Sequence, residues 1–272
     1  MILSAATVCL VPEAKAGPFV FHGDLAGACR ECADLGFDAV ELFAASGDQV
    51  DPSELRTLLK AQNLRLAAVG TGAGMLLHGH ALCVPDAVAR ARACEFAKRV
   101  IDFGARFAAP AIIGSMQGKA ERAQSREKAL ERLTGSLREL AEHAADRGQK
   151  LLFEPLNRYE TDLVRTLSEG IQLLDTVGCD NFFLLADLFH MNIEEAIPER
   201  SILDAAGRIG HVHFVDSNRH AAGFGHTALR PIADALISTG YSGYASAEAF
   251  PLPDSSAAAQ GTIESFRRFF PR

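Results

Sequence analysis

The chain has 272 residues, 48% of them hydrophobic and 22% charged, a length and balance that suit a large folded core and exclude a disordered tract or a coiled coil. Its formal net charge is −7 and no run of Lys or Arg exceeds a pair, which excludes a broad phosphate-backbone footprint and, with it, a nucleic-acid partner. The N-terminal MILSAATVCLVPEAK has no basic residue ahead of its apolar stretch and no apolar run reaches the length of a membrane span, so a cytoplasmic protein with no membrane partner is expected.

Short β-forming runs alternate with longer stretches of helical periodicity, the pattern of βα units on a parallel sheet. In chain order the spacing predicts strands at ILSAATV (2–8), FDAVELF (37–43), LRLAAVG (64–70), RFAAPAII (106–113), KLLFEP (150–155), FFLLAD (182–187), IGHVHFV (209–215) and GYASAEAF (243–250). Helices fall between them. Asp51 reads as an N-cap with Pro52 in the first turn, Pro85 to Phe103 as a helix with Pro85 in its first turn, and 120–147 as a helix stopped by Gly148. Eight such units in one chain of this length predict an α/β fold, a single (β/α)8 TIM-barrel domain over 1–272, with its chemistry at the C-terminal ends of the strands.

Six cysteines at 9, 29, 32, 83, 94 and 179 form neither a disulfide framework nor a repeated metal spacing. Cys29 and Cys32 make a CxxC, but it falls mid-helix in DLAGACRECADLG and not at a strand-to-helix turn, so a structural role is expected.

The polar residues at the predicted strand ends are Glu41, Glu154, Asp187, His213 and Glu248. Taken singly, each reads as a solvated acid or a core histidine. Glu154, Asp187, His213 and Glu248 end four consecutive strands, however, and in a closed barrel they converge on one mouth. Three carboxylates and an imidazole, with no thiolate, suit a divalent cation of intermediate hardness: Mn2+ first, with Mg2+ or Co2+ as the other candidates. Without such a charge the carboxylates would repel and raise one another's pKa.

The stretches EPLNRYE (154–160), DLFHMNIEE (187–195), HVHFVDSNRHAAGFGH (211–226) and AEAF (247–250) resemble the signatures of the ketose 3-epimerases, the D-tagatose 3-epimerase type within the xylose isomerase-like TIM barrels. The resemblance implies that Glu154, Asp187, His213 and Glu248 hold the metal and that Glu154 and Glu248 are also the catalytic acid–base pair. It further implies that His190 and Arg219 bind substrate oxygens and that Glu160 positions Glu154. Glu41, at a strand end, is a candidate substrate-hydroxyl contact. The implied reaction interconverts ketoses at C3 by removing and returning a proton through a metal-bound enediolate, in a homo-oligomer, a dimer or tetramer. The same constellation also allows an aldose–ketose or hydroxypyruvate-type isomerase, or a dehydratase or lyase acting on keto-sugars or polyols. The chain has no Trp, has Phe224 between the glycines of GFG, and continues from its fourth strand into GSMQGKAER, so its pocket walls are expected to differ from the aromatic ones of the family. GTGAG (70–74), His78 and His80 are read as a βα loop and its neighbours, and His211 as a deeper partner on the strand of His213.

Overall fold

The computed structural model describes residues 1–120 and 125–271. Among the described residues nine parallel strands run in chain order: β1 (Leu3–Cys9), β2 (Phe21–His22), β3 (Ala39–Phe43), β4 (Arg65–Gly70), β5 (Ala111–Ile113), β6 (Leu151–Phe153), β7 (Phe182–Asp187), β8 (Ile209–His213) and β9 (Tyr244–Ala247). Each pairs with the next from β3 to β9, β1 pairs with β3, and β9 returns to β1 through Leu3↔Tyr244 to Ala6↔Ala247. Eight strands thus close into the expected barrel. The unpredicted two-residue β2 pairs with Val8 and Cys9, extending the β9 edge of β1 above the point where β9 stops.

The helices are α1 (Leu25–Leu35), α2 (Pro52–Ala61), α3 (Ala73–His78), α4 (Ala87–Ala105), α5 (Arg126–Ala145), α6 (Leu167–Val177), α7 (Leu188–Glu194), α8 (Pro198–Asp204), α9 (Leu229–Ser238) and α10 (Ser255–Phe269). Their starts follow local chemistry. Asp51 accepts from Ser53 N–H and Glu54 N–H with Pro52 at the first position, and Thr166 and Glu169 form a reciprocal capping box at α6. α4 begins later than expected because Asp86 caps it and leaves Pro85 outside the helix. The fourth predicted strand shrinks to β5 because residues 106–109 finish the turn after α4, where Ala108 has φ 55°; the last stops at Ala247. Of the helix predicted over 120–147, positions 121–124 lie outside the described residues. Cys29 and Cys32 are buried on α1, facing the core. Among the described residues no helix is long and apolar enough to cross a membrane.

Alternation along the strands decides which side chains reach the barrel interior. The main core fills the layer between sheet and helices and takes Leu151, Phe153, Ala186, Val212, Ala245 and Ala247. Separate interior clusters take Ala68, Ile112, Leu152 and Leu185, and Ala5, Ala39 and Ala67. Counting by twos from the interior members Leu152, Leu185 and Ala39 brings Glu154, Asp187 and Glu41 inward. The same parity on β8 and β9 brings in His211, His213, Ser246 and Glu248. All the polar strand-end residues therefore share the inner face, above a plug of mostly small side chains.

Candidate metal centre

Four of these residues meet. One ligand atom each from Glu154, Asp187, His213 and Glu248 lies within 4.8 Å of the others. Asp187 and His213 sit level in the β7–β8 register, and His213 Nδ1 is 3.2 Å from Asp187 Oδ2, 3.4 Å from Glu154 Oε1 and 3.7 Å from Glu248 Oε2. The imidazole stands among three carboxylates, all but Glu248 less than a tenth exposed.

The electrostatics of the cluster favour a shared positive charge. Burial pushes Glu154 up to about 8, assisted by the charges of Glu248 and Asp187 and opposed by His213, and burial raises Glu248 as well. Burial alone would also raise Asp187, but the charges of Arg219 and His213 beside it hold it well below the usual carboxylate range. His213 is held charged, against its burial, by Glu41 and Glu248. Glu154 Oε1 is buried with no hydrogen bond of good geometry. Such an orphaned oxygen, beside like charges in a site of low dielectric, is costly unless a cation is shared. The donor set and the orphaned atom both fit a divalent metal.

The supporting atoms are already committed elsewhere. Asp187 ends β7 and caps α7: its Oδ1 accepts from Phe189 N–H at 2.7 Å and His190 N–H at 3.2 Å, leaving Oδ2 for the cluster. The helix α7 therefore carries His190 to the mouth. His213 Nε2 lies 3.0 Å from Glu41 Oε1, and the other oxygen, Oε2, lies 2.7 Å from His211 Nε2. Glu41 lines the pocket, but both of its oxygens face histidines, so it backs His213 in the way that carboxylates orient metal-bound imidazoles. His211 is the deeper partner expected on that strand.

Arg219 arrives on a loop after β8, where it adopts φ 59°. Asp216 folds that loop by accepting from Ser217 N–H at 2.7 Å, Gly223 N–H at 2.8 Å and Thr227 N–H at 3.0 Å. A Cβ on Gly225 would collide with the Asp216 carboxylate, and Gly223 adopts φ 97°, which together account for the glycines of HAAGFGH. The Arg219 guanidinium lies 4.7 Å from the Phe189 ring centre, bonds to Glu248, and is 3.4 Å from Asp187 Oδ2. Glu160 is half-exposed at the rim. Its hydrogen bond comes from Asn157 Nδ2 at 3.0 Å, so the expected link to Glu154 is replaced by one to Asn157. Neither Asn157 nor Asp216 was foreseen from sequence; both are buried polar residues inside the motifs EPLNRYE and HVHFVDSNRH, and position between the motif residues was the available signal.

Above the cluster opens a cavity of about 230 Å³. Its aromatic wall is Phe19 and Phe43, ring centres 4.6 Å apart, and the small residues Gly72, Gly114 and Ser115 also line it, Gly72 against the Phe43 ring. That volume suits a small polar ligand. Gly70, Thr71 and Gly72 line it, whereas His78 and His80 pack on Phe96 and each other, away from the carboxylates. His190 is neutral, lowered by burial to about 3.

Comparison with known proteins gives the family and the fold. The family model described as Xylose isomerase-like TIM barrel matches residues 29–269. An L-ribulose 3-epimerase of Mesorhizobium japonicum is 32% identical over 222 residues, covering 80% of this chain and 72% of that protein. A D-psicose 3-epimerase of Agrobacterium fabrum is 30% identical, covering 88% of this chain and 80% of its own. Among solved structures, a D-allulose 3-epimerase from Methylomonas sp. in complex with D-allulose superposes with a TM-score of 0.80 at 25% identity, over 99% of this chain and 97% of the other.

Proposed function

Since the chain belongs to the xylose isomerase-like TIM-barrel family, we propose that it is a carbohydrate epimerase that interconverts ketoses at C3 with a divalent metal, Mn2+ first, held by Glu154, Asp187, His213 and Glu248. The observation that carries the assignment is the placement of Glu154 and Glu248. They directly follow β6 and β9, strands three places apart in the ring of eight, with Asp187 and His213 between them. Two carboxylates facing each other across a small cavity can reach opposite faces of one sugar carbon. When bound, the cation supplies Lewis acidity at the carbonyl and adjacent hydroxyl oxygens, which acidifies the C3 proton.

The chain's own residues do the rest. One of Glu154 and Glu248 takes the C3 proton and the other returns a proton to the opposite face, with the roles exchanged in the reverse direction. Arg219 and His190 donate toward the sugar oxygens, where negative charge develops in the enediolate. Glu160 at the rim takes a substrate hydroxyl, and Phe19 and Phe43 cover the sugar's apolar face and limit water entry. Six free cysteines, five of them buried, fit the reducing cytoplasm.

The test is proton exchange. Metal-loaded protein is incubated in D2O with a panel of free ketoses, each with a chelator control, and followed by NMR. Deuterium at C3 together with epimer formation, lost on chelation and in Glu154→Gln and Glu248→Gln, is the expected outcome. Exchange at C1 with aldose formation would make it an aldose–ketose isomerase, and no exchange in any ketose would remove the free-ketose assignment.

A further inference from the structure

We infer that Asn157 is a positioning residue that fixes the His190 ring as its Nε2–H tautomer, leaving that N–H as a donor aimed into the cavity. The inference rests on the proposed role of His190 toward a sugar oxygen and adds the residue that makes the role possible. Asn157 is 2% exposed and touches His190 twice. Its backbone N–H points at His190 Nδ1 from 3.2 Å and its side-chain Nδ2 from 2.7 Å.

Both of those groups can only donate. The amide orientation is fixed by the chain itself, because Asn157 Oδ1 accepts from Tyr159 N–H at 2.9 Å, which leaves Nδ2 on the His190 side. The second hydrogen of Nδ2 goes to Glu160 Oε1 at 3.0 Å. With two donors converging on it, Nδ1 must present its lone pair, and the single proton of a neutral imidazole then sits on Nε2.

One contact makes the opposite demand. Arg219 Nη1, also a donor, lies 3.5 Å from His190 Nε2. That separation is at the outer limit of a hydrogen bond, whereas the contacts at Nδ1 are shorter and two in number, so the Nδ1 side decides the tautomer. At Nε2 the carboxylate oxygens Glu154 Oε1 and Asp187 Oδ2 stand at 3.8 and 3.9 Å, too far to take the proton in a hydrogen bond. The N–H therefore remains open to an oxygen entering the cavity. An Asp at 157 would keep the shape and reverse the demand, because a carboxylate accepts where the amide donates.

The tautomer is measurable without any substrate. The chelator-treated chain, labelled with 15N-histidine, is recorded by long-range 1H–15N correlation, with the His190 signals assigned from their loss in His190→Gln. Wild type should show Nδ1 unprotonated and Nε2 protonated; Asn157→Asp should move Nδ1 to the protonated position, and Asn157→Ala should blur the preference. In the metal-loaded protein, Asn157→Asp should lower kcat/KM for the ketose about 100-fold, the size expected for one lost donor to developing negative charge, while Mn2+ titrated alone binds as in wild type. A protonated Nδ1 in wild type overturns the inference, and so does an Asn157→Asp protein that shifts its tautomer yet keeps wild-type kcat/KM. A chain that turns over no ketose but shows the unprotonated Nδ1 sinks the epimerase assignment and supports the hold of Asn157 on His190.

Discussion

Adding a single methyl group at Gly114 should damage catalysis far more than folding. Gly114 follows β5 and lines the cavity. The three atoms nearest to a Cβ built there all belong to Glu154: its Oε2 overlaps the new carbon, while Cδ at 3.5 Å and Cβ at 3.8 Å are at ordinary contact. Relief therefore requires only the carboxylate tip to retreat, by about 1 Å if normal van der Waals separation is to be restored. A displacement of about 1 Å at a reacting group costs roughly 100-fold in rate. The fold should barely register the change, since a Gly→Ala effect through the unfolded chain is about 1 kcal/mol or less, a few degrees in Tm. The assay is C3 deuterium exchange at saturating Mn2+, paired with a melting curve of the chelated protein. A Gly114→Ala protein with wild-type kcat/KM would refute the idea that the Glu154 tip is held against this glycine, and a melting point lowered by tens of degrees would show that the glycine serves the backbone instead.

Two further outcomes follow from the charges behind the cluster. Glu41→Gln removes the carboxylate facing His213 Nε2 and His211 Nε2, so Mn2+ affinity measured by calorimetry should fall about 10- to 100-fold with the fold intact; unchanged affinity would remove Glu41 from the metal's support. Glu154, raised by burial to about 8, and His213, held charged against burial by Glu41 and Glu248, must both lose protons to become ligands. Mn2+ uptake at pH 7 should therefore release about two protons, read from binding heats in buffers of different ionisation enthalpy, and zero release would contradict the assigned ligands. Both shifts are upward, so the metal-free fold binds more protons than the unfolded chain between about pH 6.5, the ordinary histidine value, and 8. Its urea midpoint should fall as pH rises through that window. Below it the buried neutral His190 and His211, both lowered by burial, act in the opposite direction.

The barrel was legible because its strands are apolar runs bounded by helices with clear caps, and period-two alternation carries that information to the site. Once Leu152 and Leu185 face inward, Glu154 and Asp187 must do so as well. Two kinds of feature escaped. The β2 strand is two residues long and exists only because β9 ends early against β1, a tertiary circumstance with no local signal. The roles of Glu41, Glu160 and Asn157 depend on which atom of a side chain is already occupied, and spacing does not report that. Glu41, a strand-end acid expected to meet a substrate hydroxyl, turns both oxygens to histidines 170 and 172 positions away in sequence.

Asp187 shows why the DLFHMN segment needs no glycine or proline to leave its strand. A parallel strand running straight into a helix leaves the first helical N–H groups without partners, and a short acceptor at the junction satisfies them. Asp187 does this with Oδ1 alone, at φ −92°, an extended conformation open to any residue. Its remaining oxygen, Oδ2, then faces His213 and Arg219 with no freedom to rotate away, since turning the carboxylate would break the helix cap. The capping bonds thus hold the acid in place for a ligand's role, and the immediate start of α7 sets His190 one turn above it, over the same cavity. An Asn at 187 could keep the cap but would offer an uncharged group to the cluster, whereas a Glu would reach too far to serve both functions; the acid, its length and its position are fixed together by one junction.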